Sequence, residues 1–342
     1  MDKELHTQGK DNALLEIKDL HVQYDTDDAV VHALNGFHLA LRRGEKLGLV
    51  GETGAGKSTM ALSVLRLLPP RVGRIPRGSI RYDGMDILSA SPKDMLGLRG
   101  ERISMIFQDP MTSLNPVITV GDQILEVLSL HFPEMTKDEK DRRVDEMMQM
   151  VGIPAARKHE YPHQFSGGMK QRIVIAMALV AQPELLLADE PTTALDVTIQ
   201  AQILELMKQL KEKFNSAMIL ITHDLGVVAE FCDNVAIVYA GEVIEYGSVE
   251  EIYAREQNHP YTAGLFNCIP DLYTTASRLE PIPGFMADPT DLPQGCKFSP
   301  RCPHCMERCK AEAPEMHHID GAHSIKCHLF REEGTRNAGT SS

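Results

Sequence analysis

A glycine-rich octapeptide, Gly51-Glu-Thr-Gly-Ala-Gly-Lys-Ser58, lies between two segments of different periodicity. The short apolar run Lys46–Val50 before it predicts a strand. The segment Ser58–Leu68 after it has helical spacing and stops at Pro69-Pro70. Glycines let the backbone turn tightly and point consecutive N–H groups inward at an anion. The sequence therefore predicts a strand, loop and helix that together bind phosphate groups.

Most positions of this loop, and Thr59 after it, have an expected part in nucleotide binding. Lys57 adds a positive charge for the β- and γ-phosphates of a nucleotide, and the hydroxyl of Ser58 is a ligand for Mg²⁺. The helix that starts here directs its positive end at the anion. The predicted nucleotide-contacting residues of the loop are Gly51, Gly54, Ala55, Gly56, Lys57, Ser58 and Thr59.

Two adjacent carboxylates follow a second apolar run, Leu185–Ala188, which is typical of a strand covered on both faces of a parallel sheet. Asp189 would be costly to bury without a cation, so we expect it to hold Mg²⁺ directly or through water. Glu190 would face the γ-phosphate and would orient and polarise the attacking water.

Composition excludes some classes of protein. The formal net charge of −13 over 342 residues argues against a nucleic-acid-binding protein, which would present a basic face to phosphates. The longest apolar run, Ile173–Ala181, is far shorter than the ~20 residues needed to cross a bilayer, and residues 1–20 lack a signal-peptide core. The sequence therefore predicts a cytoplasmic protein without membrane spans.

The periodicity along the chain predicts an α/β fold. Leu14–Tyr24 and Phe37–Leu41 alternate like half-buried antiparallel strands, which predicts an edge sheet. Residues 101–182 are mainly helical and predict an inserted helical subdomain. An amphipathic helix after Glu190 leads to the apolar strand Met218–Ile221, and alternating strands and helices predict a parallel sheet.

The same pass predicts the domain boundaries. Residues 1–12 and 333–342 are expected to be flexible tails, and residues 13–255 to form the nucleotide-binding domain. Beyond about residue 255 proline and cysteine rise and periodicity fades, which predicts a small cysteine-rich module over 256–332.

The string Phe165-Ser-Gly-Gly-Met-Lys-Gln-Arg172 resembles the signature motif of ABC transporter ATPases, with Phe in place of the commoner leading Leu. The resemblance covers essentially the whole chain and implies a P-loop NTPase core with an antiparallel edge subdomain and a helical subdomain. A serine and two glycines at a helix start also suit an anion. In this family Ser166, Gly167 and Gly168 contact the γ-phosphate held by the opposite subunit.

Other elements of the resemblance carry over one residue at a time. Gln108 matches the Q-loop glutamine that senses Mg²⁺ and the γ-phosphate and adjoins the permease. Asp196, in Ala194-Leu-Asp196, matches the D-loop that crosses the dimer interface. His223 resembles the switch histidine on the γ-phosphate. Tyr24 lies where the family places an aromatic ring that stacks on adenine.

Three longer strings resemble the oligopeptide/dipeptide/nickel importer branch of the family: Phe107-Gln-Asp-Pro-Met-Thr-Ser-Leu-Asn-Pro116, the stretch from Ala188 to Gln200, and His259-Pro-Tyr-Thr262. The branch implies an ATP-hydrolysing subunit at the cytoplasmic face of the plasma membrane. Its implied partners are two permease subunits, a second, non-identical cassette and, indirectly, a solute-binding protein. A soluble ABC ATPase of DNA repair or translation is the alternative. The sequence names neither the solute nor, by itself, the identity of the second cassette.

The chain has seven cysteines, and five of them crowd into the C-terminal part as Cys296-x5-Cys302-x2-Cys305-x3-Cys309-x17-Cys327. In a reducing compartment such crowding suggests a metal before disulfides, and four thiolates suit zinc as well as an iron–sulfur cluster.

The resemblance to the importer branch implies that Cys296, Cys302, Cys309 and Cys327 hold a [4Fe–4S] cluster, with zinc as the alternative. Cys305 would then be an extra thiol. The two isolated cysteines, Cys232 and Cys268, are expected to be small buried apolar residues.

Overall fold

The computed structural model describes residues 13–193, 195–254, 257–268 and 281–330. The tails predicted over 1–12 and 333–342 lie outside the described residues, as do Ala194 and parts of the predicted C-terminal module. Within the described ranges the strands are β1 (Ala13–Asp25), β2 (Val30–Arg42), β3 (Lys46–Val50), β4 (Gly73–Tyr82), β5 (Met85–Asp86), β6 (Ile103–Ile106), β7 (Leu185–Asp189), β8 (Ala217–Thr222), β9 (Asn234–Tyr239), β10 (Glu242–Ser248), β11 (Met316–Asp320) and β12 (His323–Lys326).

The helices between these strands follow the predicted α/β alternation. Those in the described ranges are α1 (Lys57–Val64), α2 (Pro92–Leu98), α3 (Pro110–Ser113), α4 (Val120–His131), α5 (Lys137–Met150), α6 (Gly167–Leu179), α7 (Val197–Phe214), α8 (Leu225–Phe231), α9 (Val249–Tyr253), α10 (Pro260–Asn267) and α11 (Glu307–Ala311). Short 3₁₀ turns cover Ala155–His159, Pro162–Gln164 and His328–Phe330. Helix α1 ends earlier than predicted, since Arg66 adopts a positive φ of 50°.

The smaller sheet has the order β2-β1-β4-β5 and is antiparallel throughout. Its first two strands confirm the antiparallel edge sheet expected from alternation, since Ile17, Leu20 and Val22 are buried while their neighbours are partly or fully exposed. This sheet covers the segment that carries the glycine loop.

The larger sheet has the order β11-β12-β10-β9-β3-β8-β7-β6, and its strands from β9 to β6 run parallel. Hydrophobic cores cover both faces of this parallel part: Leu185 and Leu187 face one core, and Leu186 and Ala188 face the other. Parallel strands place their carboxyl ends at one edge of the sheet. The segments that follow β3, β6, β7 and β8 therefore meet at that edge.

The helical part of the chain begins later than the sequence indicated. Strand β6 lies inside the range 101–182 assigned to the helical subdomain, yet it pairs with β7 in the larger sheet. The apolar spacing of this short strand does not separate it from a helix. Helices α3 to α6 follow it, and Thr119 and Thr136 cap α4 and α5 with their side-chain oxygens.

The C-terminal residues are more closely joined to the core than an appended module would be. Strand β12 pairs with β10 and so extends the larger sheet. Phe298 and Tyr261 are buried against Tyr239 of β9, with ring centroids 5.2 Å and 4.8 Å from it. The separate cysteine-rich module is not confirmed. The sequence missed β11 and β12 because strands of five and four residues carry little periodicity.

Candidate functional site

The glycine loop follows β3 and ends at Gly56, which caps α1 with a left-handed φ of 100°. A Cβ atom on Gly56 would lie 2.5 Å from the carbonyl oxygen of Ala33, and one on Gly51 would lie 2.2 Å from that of Val238. No side chain fits at either position. The loop is therefore held in a tight curve with the N-terminus of α1 at its base, which is the geometry that binds phosphate.

Lys57 lies inside this curve. Its Nζ donates to the carbonyl oxygens of Gly51 (2.6 Å) and Glu52 (2.9 Å). Burial lowers the pKa of the Lys57 ammonium, and the nearby carboxylates of Glu190 and Asp189 oppose this effect. A buried ammonium whose described hydrogen bonds go to two carbonyl oxygens is available to a phosphate, so the loop fits a nucleotide.

Asp189 ends β7 and is buried. Burial raises the pKa of its carboxyl, and a hydrogen bond from Ser58 opposes that shift. A hydroxyl and a buried carboxylate in contact form the hard oxygen pair that Mg²⁺ prefers. Two of the three residues predicted to hold Mg²⁺, Ser58 and Asp189, therefore lie together and fit the metal, whereas the third, Gln108, donates a hydrogen bond to Glu190.

Glu190 is the meeting point of the predicted catalytic residues. Its carboxylate accepts hydrogen bonds from Gln108 Nε2 (2.9 Å) and Thr193 Oγ1 (2.9 Å), and it lies 3.2 Å from Nδ1 of His223. Its backbone is strained, with φ at 45°, and its N–H donates to the carbonyl oxygen of Ile221 (2.9 Å). The turn after β7 thus directs the carboxylate away from the sheet.

The charge of Glu190 follows from these contacts. Burial disfavours the carboxylate, but the hydrogen bonds from His223 and Thr193 outweigh it and lower the pKa of the carboxyl. An ionised carboxylate is the form that accepts a proton from water. Thr193 was not among the predicted residues; its signal in the sequence is a hydroxyl three positions after the carboxylate.

Tyr24 reaches the same region from β1. Its hydroxyl forms a hydrogen bond of 3.1 Å with Thr59 Oγ1 in the first turn of α1. The ring is partly exposed, so one predicted aromatic lies at the edge of the loop.

The signature residues lie at the start of α6. The Ser166 side chain caps the helix by accepting from the Met169 N–H (3.4 Å), and Ser166 and Gly167 are exposed. Gly168 packs against α7, where its added Cβ would lie 2.7 Å from Ile199. Asp196 likewise caps α7. The described hydrogen bonds of Ser166 and Asp196 are local to their helices and do not join the Glu190 group.

The cysteines are close in space without forming a metal site. The Cys296 N–H donates to the Cys309 carbonyl oxygen (2.8 Å). Burial, together with the neighbouring thiols, raises the pKa of Cys296 and of Cys327 to about 11. In the described part of the chain, no group of three or more Cys, His, Asp or Glu side chains is placed to hold a metal ion. The iron–sulfur and zinc predictions for these residues and Cys302 are not confirmed.

The two isolated cysteines differ. Cys232 is buried, as predicted, and burial raises its pKa. Cys268 is exposed, so its predicted burial is wrong: it follows the end of α10, at a surface position. Among the helices of the described ranges, none is both long enough and apolar enough to span a membrane.

Comparison with known proteins agrees with this geometry. The ABC transporter family matches residues 34–193, and the family described as oligopeptide/dipeptide transporter, C-terminal region matches residues 244–309. The chain is 50% identical to the oligopeptide transport ATP-binding protein OppD of Salmonella typhimurium, over 89% of this chain and 90% of that protein. The chain belongs to the ABC transporter ATP-binding family.

Two other relatives of this ABC ATPase differ in how much of the chain they cover. The oligopeptide transport ATP-binding protein AppD of Bacillus subtilis is 45% identical over 96% of this chain and 100% of that protein. Among solved structures, cbiO1 of Clostridium perfringens, part of the cbiONQ transporter complex, is 30% identical with a TM-score of 0.62, covering 72% of this chain and 92% of that one. The P-loop core and its hydrolysis of ATP follow from this membership.

Proposed function

We propose that this ABC ATPase powers the import of peptides through a membrane permease. The observation that carries the proposal is the convergence of Gln108, Thr193 and His223 on the Glu190 carboxylate, close to Lys57 of the glycine loop. The peptide cargo is supported by the relatives, which are named as oligopeptide and dipeptide transport ATP-binding proteins.

Different residues of the site bind the nucleotide and the metal ion. The N–H groups of the glycine loop and Lys57 hold the β- and γ-phosphates, and Tyr24 stacks on the adenine. Ser58, Asp189 and Gln108 would hold Mg²⁺, which supplies positive charge to the phosphate oxygens when bound.

The chemical step depends on Glu190. Its carboxylate accepts a proton from water as the water oxygen bonds to the γ-phosphorus, and the bond to the bridging oxygen breaks so that ADP leaves with the electron pair. His223 and Gln108 hold this carboxylate and sense the γ-phosphate. The hydrogen bonds that keep Glu190 ionised support this assignment.

We propose that a second cassette completes the nucleotide site. Ser166 and Gly167 are exposed at the N-terminus of α6, and Val197, beside Asp196 at the start of α7, exposes 83% of its surface. Gly168 is partly buried and faces Ile199 of α7. An exposed helix N-terminus suits an anion, and an exposed apolar residue suits a protein partner. A dimeric solved relative, 27% identical with a TM-score of 0.62, is described as bound to ADP and Pi.

The assembly we propose contains two permease subunits and a second, non-identical cassette, with a solute-binding protein acting through the permease. The chain would then sit peripherally on the cytoplasmic face of the plasma membrane. Closure of the two cassettes on ATP would favour one access state of the permease, and hydrolysis would reset it.

We also propose that Cys296, Cys302, Cys309 and Cys327 bind a metal. None of the steps of ATP hydrolysis depends on this metal. Burial raises the pKa of Cys327, and the other three thiols are close enough to raise it further, which supports metal binding. In the described part of the chain, however, these side chains are not placed as a group that could hold a metal ion. Iron, sulfide and zinc analysis of anaerobically purified protein tests it. At least one metal per chain, lost on Cys309→Ser, is the expected result; metal-free, folded wild-type protein would reject it.

Transport by the reconstituted complex tests the peptide function. The chain, its permease subunits and its partner cassette are placed in liposomes, and ATP-dependent uptake of a labelled tripeptide is measured. Uptake that is abolished by Glu190→Gln is expected. Uptake of Ni²⁺ with no uptake of the peptide would instead show that the cargo is the metal ion.

The soluble alternative, an ABC ATPase of DNA repair or translation, has a separate test. Co-purification with two polytopic membrane proteins supports the importer. Tight binding to nucleic acid, with no membrane partner, would favour the alternative. The relatives named above, which are transport proteins, do not favour it.

A further inference from the structure

The segment 282–289, from the C-terminal part of the chain, lies along the glycine loop. The carbonyl oxygen of Pro289 accepts from the His32 N–H of β2 (2.8 Å). The Ala287 N–H donates to the hydroxyl of Tyr239 (3.3 Å). At the loop itself, a Cβ atom added to Gly54 would lie 2.9 Å from Cε of Met286. The C-terminal part therefore touches the region where phosphate binds.

One residue of the loop, Glu52, is held by two side chains from this part of the chain. Arg301 donates from Nη1 to Oε2 of Glu52 (2.7 Å) and from Nη2 to Oε1 (3.1 Å). The Glu52 N–H donates to the hydroxyl of Tyr261 (3.0 Å). The Arg301 side chain is only 4% exposed and Tyr261 is buried. A two-bond pair of this kind is stronger and more directional than a surface ion pair.

Arg301 is itself fixed in place. Its Nε donates to the carbonyl oxygen of Pro283 (2.9 Å), and its guanidinium lies over the rings of Tyr239 and Phe298, 5.9 and 6.0 Å from their centroids. Tyr261, Tyr239 and Phe298 pack edge to face. Arg301 therefore has little freedom to move with Glu52 if the glycine loop moves.

The charge of Glu52 has a direct consequence for phosphate. Its carbonyl oxygen accepts from Nζ of Lys57 (2.9 Å), so this residue lies within the phosphate-binding curve. A carboxylate without a partner at this position would repel the phosphates of ATP. Arg301 neutralises that charge and fixes the position of the carboxylate.

We propose that Arg301 and Tyr261 are positioning residues for ATP, which act through Glu52 to set the shape and charge of the phosphate loop. Tyr261 belongs to the string His259-Pro-Tyr-Thr262, which in the sequence marked only a branch of the family. The proposal gives this string and Arg301 a part in nucleotide binding. It rests on ATP hydrolysis by this chain and is independent of the cargo.

A double-mutant cycle on the assembled transporter tests the proposal, with KM for ATP, kcat and equilibrium binding of labelled ATP as readouts. Arg301→Met is expected to raise KM and the dissociation constant of ATP about tenfold or more, with kcat within about twofold. The double variant, Glu52→Gln with Arg301→Met, has no unpaired carboxylate at position 52. Its affinity for ATP is therefore expected to be within about threefold of that of the Glu52→Gln variant.

The matched control is Arg308→Met, which breaks an exposed pair with Glu312 in the same part of the chain. It is expected to leave all three readouts unchanged. If Arg301→Met does not fold, Arg301→Lys keeps the charge, loses the two-bond geometry and is expected to weaken ATP binding severalfold. Tyr261→Phe is expected to weaken it less than Arg301→Met.

Two results would overturn the proposal. One is an unchanged affinity for ATP in Arg301→Met, even if kcat falls. A smaller fraction of folded protein would lower kcat and leave the affinity of the folded sites unchanged. The other is a double variant that binds ATP as weakly as Arg301→Met. Neither result depends on transport: a wild-type complex that fails to move peptides rejects the peptide function and leaves the affinity comparison intact.

Discussion

Replacement of Glu190 by glutamine removes the carboxylate on which Gln108, Thr193 and His223 converge. An amide keeps the size of the side chain but accepts no proton from water. We expect ATP binding to stay intact and turnover to fall at least about 100-fold. Steady-state hydrolysis and nucleotide binding measure the two effects.

The control for this variant is Glu205→Gln, which changes a carboxylate of α7 that bonds Gln209 on the exposed surface. Its turnover is expected to equal that of the wild type. Turnover of Glu190→Gln at the same level would show that another group accepts the proton.

His259 makes the stability of the protein depend on pH. Burial lowers the pKa of its imidazole to about 3 from the ordinary 6.5, and its Nδ1 accepts from the Tyr261 N–H (3.0 Å). Between pH 6.5 and 3 the unfolded chain binds a proton here that the folded chain does not. The free energy of unfolding therefore falls as pH is lowered below 6.5, by up to about 1.4 kcal/mol per pH unit.

Urea unfolding at pH 7.5 and pH 5.0 measures this dependence. His259→Asn keeps an acceptor at the cap of α10 but does not titrate, so it is expected to lose about 2 kcal/mol less than the wild type over this interval. Equal losses in both proteins would contradict the assignment to His259.

Sequence reasoning found the residues that stand at the ends of apolar strands. Asp189 and Glu190 could be predicted because they follow an apolar strand, and His223 came from the resemblance to the family; the strands before them end at one edge of the parallel sheet. The pair of Glu52 with Arg301 could not be found this way, since 249 positions separate them and no local pattern links them.

At the level of elements, the contact between α6 and α7 depends on a glycine. A Cβ atom on Gly168 would lie 2.7 Å from Cγ2 of Ile199, so Gly168→Ala forces the two helices apart. We expect this variant to lower the free energy of unfolding by about 1–3 kcal/mol. Thermal or urea unfolding measures the change.

The matched control is Gly97→Ala in α2, where an added Cβ has no atom within 4 Å. Alanine is the better helix former, so this variant is expected to match or exceed the wild type by up to about 1 kcal/mol. Gly168→Ala that behaves like Gly97→Ala would mean that the helices do not need this close approach.

Among the elements, three strands of the parallel sheet were predicted most closely. Strand β3 has the predicted limits, and β7 and β8 differ from prediction by one residue at an end or both. No strand was predicted at β4, β5, β9 or β10. The short strand β6 lies in a segment predicted to be mainly helical, and β11 and β12 were missed. Their places are set by pairing with distant strands, which local periodicity does not encode.

At the scale of the whole molecule, we propose that two cassettes share each nucleotide site. The glycine loop, Asp189 and Glu190 belong to one surface, and the exposed N-terminus of α6 with Ser166 is offered to another. In the proposed assembly catalysis requires pairing, because the partner cassette would supply the second set of donors to the γ-phosphate.

The most direct test is the rate of ATP hydrolysis per chain in two states, the isolated chain held strictly monomeric, as verified by light scattering, and the chain in its assembled transporter. We predict that the monomer hydrolyses ATP at least about 100-fold more slowly than the assembled transporter. Equal rates in the two states, unaffected by Ser166→Ala, would contradict it.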